Sequence, residues 1–215
     1  MKNIKLLVLL LALALVVLST TLIIQSYNPS KLIQIEEQKE LMEIAEMKSL
    51  LGEAYTFIQE NELNAAEKRL HLLLRKSPKN ISALQLLGNV YFSQKKYSDA
   101  ETTFKTLIRI DSQRSINYNN LGQTLAAQEK YFEAIPELKK ASLLSPELAQ
   151  PHLNLAEIYI KLNQKKAALN ELKKAFELGR KNNSVIINMT AFEALKDDEE
   201  FRELLNLRPN KGENK

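Results

Sequence analysis

The sequence predicts an all-α protein: a solenoid of about four helix–turn–helix repeats with C-terminal capping helices, preceded by an N-terminal transmembrane helix. Three observations support this prediction. Small and apolar residues recur at intervals of 34 positions, the chain has only 5 Gly and 6 Pro, and one long uncharged stretch lies near its start. Because strand-rich folds need many turns, scarce Gly and Pro favour helices.

The composition narrows the class of function. Hydrophobic residues make up 45% and charged residues 26% of the chain, which is typical of a globular protein. The net charge of +4 argues against a strongly basic nucleic-acid-binding protein. Because the chain has no Cys, disulfides, thiolate metal sites and a cysteine nucleophile are all excluded.

The N-terminal segment, residues 1–27, is interpreted as a signal anchor. Residues 6–24 carry no charge, and as a helix they span roughly 28 Å, close to the ~30 Å thickness of a bilayer core. Lys2 and Lys5 precede this run, so we expect a cytoplasmic N-terminus. The repeats would then lie on the extracytoplasmic side, the periplasm in a bacterium. The alternative is a cleaved signal peptide that leaves a soluble exported protein.

Residues 28–46 predict an amphipathic linker helix. Asn28 and Pro29 interrupt the first helix, and Ser30 can cap the next one. Apolar residues then follow at helical spacing. Heptad spacing over residues 35–58 also predicts a weak dimer, although Lys48 interrupts the apolar seam.

The repeats occupy residues 47–180, in units at about 47–80, 81–114, 115–148 and 149–182. Small residues in two columns allow neighbouring helices to approach closely, and an apolar column marks the core face. One hairpin cannot bury its apolar face alone, so stacked repeats share a core. The three columns are Ala66, Ala100, Ala134, Ala168; Ala54, Gly88, Gly122, Ala156; and Leu70, Phe104, Leu138, Leu172.

Three further features bear on the helix ends. Pro78 and Pro146 follow serines that should end second helices, whereas Pro136 should fall near a helix start, where a missing N–H is tolerated. Residues 181–206 predict two short capping helices, with Asp197 and Asp198 capping the second. Residues 207–215 are polar and predict a disordered tail.

The pattern Leu84-x2-Leu87-Gly88-x2-Tyr91, followed by Ala100-x3-Phe104, resembles the tetratricopeptide repeat (TPR), with Leu84 where that pattern has Trp. The resemblance covers residues 47–180. It implies that the first helix of each repeat lines a concave groove, which would bind a peptide or helix of a protein partner. The groove residues mapped in this way are Tyr55, Ile58, Gln85, Asn89, Phe92, Asn119, Gln123, Leu153, Glu157 and Ile160.

Phe92 and Asn89 are expected to face this groove rather than the core, so their replacement by Ala should leave the stability nearly unchanged. Some TPR proteins grip a terminal carboxylate with basic residues. Such a clamp is not expected here, because the corresponding positions are not basic. These positions are Ser82, Leu86, Ile116 and Gln150.

No catalytic or cofactor motif is present. His71 and His152 are the only histidines, and neither has a metal-ligating partner four residues further on. There is no Gly-rich phosphate loop or nucleophile elbow. Lysine pairs such as Lys139 and Lys140 predict a solvated outer face, with lipid headgroup contact as the alternative. The sequence therefore predicts a membrane-tethered scaffold or adaptor for cell-envelope assembly, not an enzyme, with no cofactor, metal or nucleic acid.

Overall fold

The computed structural model describes residues 10–21, 29–182 and 189–206, and within these ranges the chain is helical with no strand. The chain divides into two compact units, Met1–Ser49 and Leu50–Lys215. The predicted tail at 207–215 lies outside the described residues, as do both ends of the predicted anchor at 1–27. The all-α prediction is confirmed.

The first unit contains helix α1, described over residues 10–21, and the start of helix α2. In the described ranges no helix is both long enough and apolar enough to cross a bilayer. Helix α2 runs without interruption over Pro29–Gln59. The predicted linker helix at 28–46 therefore continues directly into the first helix of the first repeat.

The second unit stacks pairs of helices. The C-terminal part of α2 and helices α4, α6 and α8 are the first helices of the repeats, and α3, α5, α7 and α9 are the second helices. The second helices begin 34 residues apart, as the columns predict. The bounds are α3 Leu63–Lys76, α4 Ile81–Ser93, α5 Tyr97–Ile110, α6 Ser115–Ala127, α7 Tyr131–Leu144, α8 Gln150–Lys161 and α9 Lys165–Asn182.

Small residues are needed where the helices of a pair cross. A Cβ atom added to Gly88 would lie 2.6 Å from Cε1 of Phe104, and one added to Gly122 would lie 2.5 Å from Cγ of Leu138. Real Cβ atoms do not approach so closely, because interiors are packed to van der Waals contact. Ala66 and Ala100, in the other small column, are completely buried.

The turn inside each repeat has a left-handed residue at the same place. Asn61, Lys95, Glu129 and Asn163 have φ angles of 59°, 61°, 61° and 57°. In the second repeat the Lys95 N–H donates to the Phe92 carbonyl, and the Lys96 N–H donates to the Tyr91 carbonyl. This is the Schellman arrangement that ends a helix with one left-handed residue. Asn61 and Asn163 favour this conformation, but Lys95 and Glu129 do not, so the sequence carries only a partial signal for this column.

The second helices end where predicted, but one proline lies elsewhere. Helices α3 and α7 stop immediately before Ser77 and Ser145. Pro136, expected near a helix start, is the sixth residue of α7. It therefore lies beyond the first turn, and the Phe132 carbonyl loses the N–H that would otherwise bond to it.

In each of the first two repeats, one carboxylate on the second helix bonds to the turn of the next repeat. Glu67 on α3 accepts hydrogen bonds from Gln94 Nε2 and Lys96 Nζ, at 3.0 and 2.8 Å. Burial would raise the pKa of the Glu67 carboxyl, but the bonds from Lys96 and Gln94 outweigh it and lower that pKa. The contact recurs one repeat later at Glu101, which accepts from Gln128 Nε2 at 2.8 Å and Lys130 Nζ at 2.9 Å.

The end of the array is covered by a 3-10 helix, Met189–Leu195, and by helix α10, Glu199–Asn206. Phe192 and Phe201 are buried there in a cluster with the last repeat. Asp198 Oδ1 accepts a hydrogen bond from the Phe201 N–H at 3.1 Å, so this side chain caps α10 as expected.

Candidate functional site

The first helices of the repeats form one side of the array, here called the inner face. Among the described helices, α6 and α8 contact each other, whereas no comparable contact joins two of the second helices. In the last two repeats, the first helices are therefore closer together than the second helices are. The TPR resemblance places its groove along the first helices.

Amide side chains connect the first helices along this inner face. Asn154 on α8 donates through Nδ2 to Asn119 Oδ1 on α6, at 2.9 Å. Asn120, beside Asn119, donates through Nδ2 to Asn89 Oδ1 on α4, at 3.3 Å. Gln150 donates through Nε2 to Asn154 Oδ1 at 2.9 Å. These five residues, here called the amide cluster, run across three consecutive repeats.

An open groove lies between α4 and α6 and is partly walled by this cluster. Its amide side is formed by Asn89 and Asn120, and its aliphatic side by Leu86 and by Ile116, which is 43% exposed. Gln85 completes the wall, and Arg114 Nη1 lies 3.4 Å from Gln85 Oε1. The full lining is Ser82, Gln85, Leu86, Asn89, Ile116 and Asn120. This groove can therefore offer both hydrogen bonds and an apolar surface.

The predicted groove residues fall into three groups. Tyr55, Asn89 and Gln123 are exposed. A second group is half-buried: Ile58, Gln85, Phe92, Glu157 and Ile160. Asn119 and Leu153 are buried, with 7% and 4% of their surface exposed. Only Gln85 and Asn89 of the predicted set line the groove between α4 and α6.

Asn119 and Leu153 face the next structural layer rather than open solvent. They are equivalent positions in successive repeats, and Asn119 is covered by Asn154 of the following first helix. Leu153 belongs to the buried cluster of Phe192 and Phe201, because the C-terminal 3-10 helix packs on α8. The mapping from the resemblance placed this column on the groove wall. Gln85, one repeat before Asn119 in the same column, does line the groove, whereas Asn119 and Leu153 form the contact between layers.

Phe92 also differs from its expected role. Its ring packs edge-on against Tyr97, with the ring centres 5.5 Å apart, and contacts the main core. Removing this side chain would therefore cost packing energy within the repeat. The expectation that Phe92→Ala leaves the stability unchanged does not fit this environment.

Four lining residues were not assigned to the wall by the sequence: Ser82, Leu86, Ile116 and Asn120. The first three were considered only as positions of an absent carboxylate clamp. The 34-residue spacing already placed Ser82 and Ile116 in one column, so the signal for a shared surface was present. The choice of which column faces the groove, however, depends on how each repeat rotates against the next.

One carboxylate lies further along the inner face. Glu157 on α8 occupies the column of Asn89 and Gln123, and it is half-buried. Burial raises the pKa of the Glu157 carboxyl, and the positive charge of Lys161 offsets only part of this effect. A partially desolvated carboxylate of this kind favours a positively charged neighbour.

Both histidines take part in contacts between helices. Nε2 of His71 lies 2.9 Å from the Tyr91 hydroxyl, and Nδ1 of His152 lies 2.6 Å from Oε2 of Glu171. In the part of the chain that the structure describes, no group of three or more His, Asp or Glu residues could hold a metal ion. Lys139 and Lys140 are exposed on α7.

Comparisons with known proteins agree with this architecture. A family profile described as "Tetratricopeptide repeat" matches residues 57–123 and 125–186, more than half of the chain. No curated protein matches the sequence. The solved structure "MamA 41-end from Desulfovibrio magneticus RS-1" is similar with a TM-score of 0.61 and 21% identity, covering 64% of this chain and 78% of that one.

Two further solved structures show the same likeness. "Crystal structure of MamA protein" has a TM-score of 0.63 and 17% identity, and the match covers 75% of this chain and 91% of that one. "Thermobaculum terrenum O-GlcNAc transferase mutant - K341M" has a TM-score of 0.57 and 24% identity, covering 65% of this chain but only 26% of the transferase. At these identities the likeness concerns the fold.

Proposed function

Because the chain belongs to the tetratricopeptide repeat family, we propose that it is a membrane-tethered protein-binding scaffold whose inner face holds an extended segment of a partner protein. The observation that carries this proposal is the groove between α4 and α6, where amides and aliphatic side chains face the same space. Its role would be to recruit or assemble partners in the cell envelope, and we assign it no reaction.

An extended peptide suits the groove chemically. A primary amide offers two donors and one acceptor oxygen, more than the contact between Asn89 and Asn120 uses. The remaining donors and acceptors can bond the backbone of a bound segment, while Leu86 and Ile116 provide sites for its apolar side chains. Backbone bonding supplies affinity, and the aliphatic sites supply the preference for particular side chains.

Glu157 adds a preference for charge. Its carboxyl is held half-buried on the inner face, which raises its pKa. A Lys or Arg of the partner would stabilise the ionised carboxylate and lower that pKa again. We therefore propose that the bound segment carries a basic residue where it passes α8. Glu157→Gln should weaken the binding of a segment that carries this basic residue, and it should leave the binding of a matched neutral segment unchanged.

A selection experiment tests the groove. A library of random peptides displayed on phage is selected against the purified full chain in detergent. We expect the enriched peptides to lose about tenfold or more in affinity for the double variant Asn89→Ala and Ile116→Ser. The matched control, Ser98→Ala with Thr102→Ala on the second helix α5, should bind them like the unmodified chain.

Equal binding by both double variants would place the peptides elsewhere and overturn the groove as the binding site. Failure to enrich any peptide would count against recognition of extended segments. The helical signal of each variant by circular dichroism shows whether a lost affinity reflects a lost fold.

Two observations support the membrane tether at residues 1–27. The run of residues 6–24 carries no charge. Within α1, the hydroxyls of Ser19, Thr20 and Thr21 donate to backbone carbonyls of Val16 and Val17 at 2.8 to 2.9 Å. Bonded in this way, these hydroxyls impose less cost in hydrocarbon than unpaired polar groups would.

The proposed topology keeps the N-terminus in the cytoplasm and the repeats on the extracytoplasmic side, the periplasm in a bacterium. A reporter that is active only outside the cytoplasm, fused after Lys215, should be active. The full-length chain should stay in membranes after a high-pH wash. Release of a chain shortened by the first 19 to 25 residues or so would favour the alternative, a soluble exported protein.

A further inference from the structure

The third repeat exposes large apolar side chains on its second helix. Phe132 and Leu143 on α7 are 79% and 75% exposed. Eleven residues separate them, about three helical turns, so they lie on one side of the helix with Pro136 between them. These three residues are here called the outer patch. A solvent-facing apolar stripe contributes nothing to the core of the repeat and is typical of an interaction surface.

The other repeats are polar at the same positions. Large exposed apolar groups at these columns are therefore a property of the third repeat and not of the repeat pattern. The residues equivalent to Phe132 are Asn64, Ser98 and Lys166, and those equivalent to Leu143 are Arg75, Arg109 and Glu177.

The border of the outer patch is basic. Lys139 and Lys140 lie on α7 between Pro136 and Leu143, and both are exposed. The acidic residues of the same helix, Glu133 and Glu137, interact electrostatically with Lys105 of α5. The patch thus combines apolar groups with positive charge, and a complementary partner would combine apolar groups with negative charge.

The chain itself contains a helix of this complementary character. In the first part of α2, Leu41 and Met42 are 65% and 73% exposed, and Ile33 and Ile35 are also more than half exposed. The same stretch carries the exposed carboxylates Glu36, Glu37, Glu40 and Glu43. It is therefore an acidic amphipathic helix with unburied apolar side chains.

We propose that the first part of α2 from a second copy of this chain docks on the outer patch, with its carboxylates against Lys139 and Lys140. Each copy then offers one docking helix and one patch, so the contact is heterologous and links copies head to tail. This self-association leaves the inner groove open for its partner. It differs from the heptad pairing predicted for residues 35–58, in which α2 would meet a second α2.

Cysteine cross-linking distinguishes these arrangements, because the natural chain has no Cys. Full-length Met42→Cys and Phe132→Cys, carrying different tags, are mixed in detergent and treated with a short bis-maleimide. We expect a cross-linked species that contains both tags. The matched control replaces Phe132→Cys by Ser98→Cys, the equivalent position one repeat earlier, and should yield several-fold less product.

Three results would overturn the proposal. One is a predominant product between two copies of Met42→Cys, which indicates pairing of α2 with α2. Another is a predominant product between two copies of Phe132→Cys, which indicates contact between two outer patches. The third is a yield with Phe132→Cys no higher than with Ser98→Cys, which indicates that the patch holds no second copy.

Charge reversal provides a second measurement. Lys139→Glu with Lys140→Glu on the patch, or Glu40→Lys with Glu43→Lys on the helix, should each lower the cross-linking yield roughly threefold to tenfold, as two exposed ion pairs allow. Combining the two reversed partners should restore the yield. If the yield falls in the single charge reversals and the combination does not restore it, while the helical signal is unchanged, the proposed pairing of charges is contradicted.

Discussion

Because the helices approach closely at Gly88, replacing this glycine by Ala should lower the stability, whereas the same replacement at Gly52 should raise it. Gly88→Ala would place a Cβ 2.6 Å from Cε1 and 2.7 Å from Cζ of Phe104, whose ring is only 1% exposed. The ring cannot turn into solvent, so the helices must separate, at a cost of about 1–3 kcal/mol. The better helix propensity of Ala stabilises the helix by roughly 0.5–1 kcal/mol. Gly88→Ala should therefore still lower the free energy of unfolding.

Gly52 provides the matched control, because nothing lies within 4 Å of a Cβ added there. Gly52→Ala should therefore gain the helix propensity alone and raise the stability by roughly 0.5–1 kcal/mol. Urea unfolding of the full chain, followed by the helical circular dichroism signal, measures both variants against the unmodified protein. The expected midpoints move in opposite directions.

A compensating change isolates the cause. In the first repeat, Ala54 and Leu70 occupy the positions equivalent to Gly88 and Phe104, and both of these side chains are buried. Phe104→Leu should therefore cost less in the Gly88→Ala background than it does alone. Stabilisation by Gly88→Ala, or simple additivity of the two changes, would refute the close contact as the reason for glycine.

Three other outcomes follow from the contacts described above. The bonds from Lys105, then Lys130 and Gln128, lower the pKa of Glu101 from 4.5 to about 2 despite its partial burial. The stabilisation that the ionised Glu101 gives the fold should therefore be complete above pH 4.5 and vanish as the pH falls toward 2. Over that range, the unfolding midpoint of Glu101→Gln should change less than the midpoint of the unmodified protein. Glu129→Asn should raise the thermal midpoint, because Asn adopts the left-handed conformation at φ 61° more readily and relieves part of its cost of roughly 1–2 kcal/mol. Phe92→Ala should lower the free energy of unfolding, measured by urea denaturation, by about 1–3 kcal/mol, because loss of a half-buried ring leaves a partial cavity. An unchanged free energy of unfolding would contradict the packing of Phe92 on Tyr97.

The helical array could be predicted because its determinants repeat. Ala66, Ala100 and Ala134 mark the same crossing in successive repeats, and their spacing set the beginnings of the second helices. Their burial follows directly from geometry that every repeat shares. A signal present four times is far harder to produce by chance than a single motif.

The groove was harder to predict because it depends on how one repeat turns against the next. Asn119 and Asn154 are 35 residues apart, not 34, so their hydrogen bond follows no column of the sequence. The burial of Leu153 depends on the 3-10 helix that follows the repeats. The left-handed turn at Lys95 and Glu129 is imposed by the helix ends and has no local sequence signal.

The central claim is that a partner protein occupies the inner face of the repeats at the groove between α4 and α6. Site-specific photo-cross-linking in living cells tests it most directly, with a benzophenone amino acid placed in the full chain at Asn89 or at Ile116. Ser98 and Thr102, on the second helix α5, serve as controls.

We expect protein adducts from Asn89 and Ile116 that a peptide selected on the groove suppresses, and no such adducts from Ser98 or Thr102. Adducts that form at the control positions but not at Asn89 or Ile116 would contradict the claim, because the partner would then bind the outer face of the same fold.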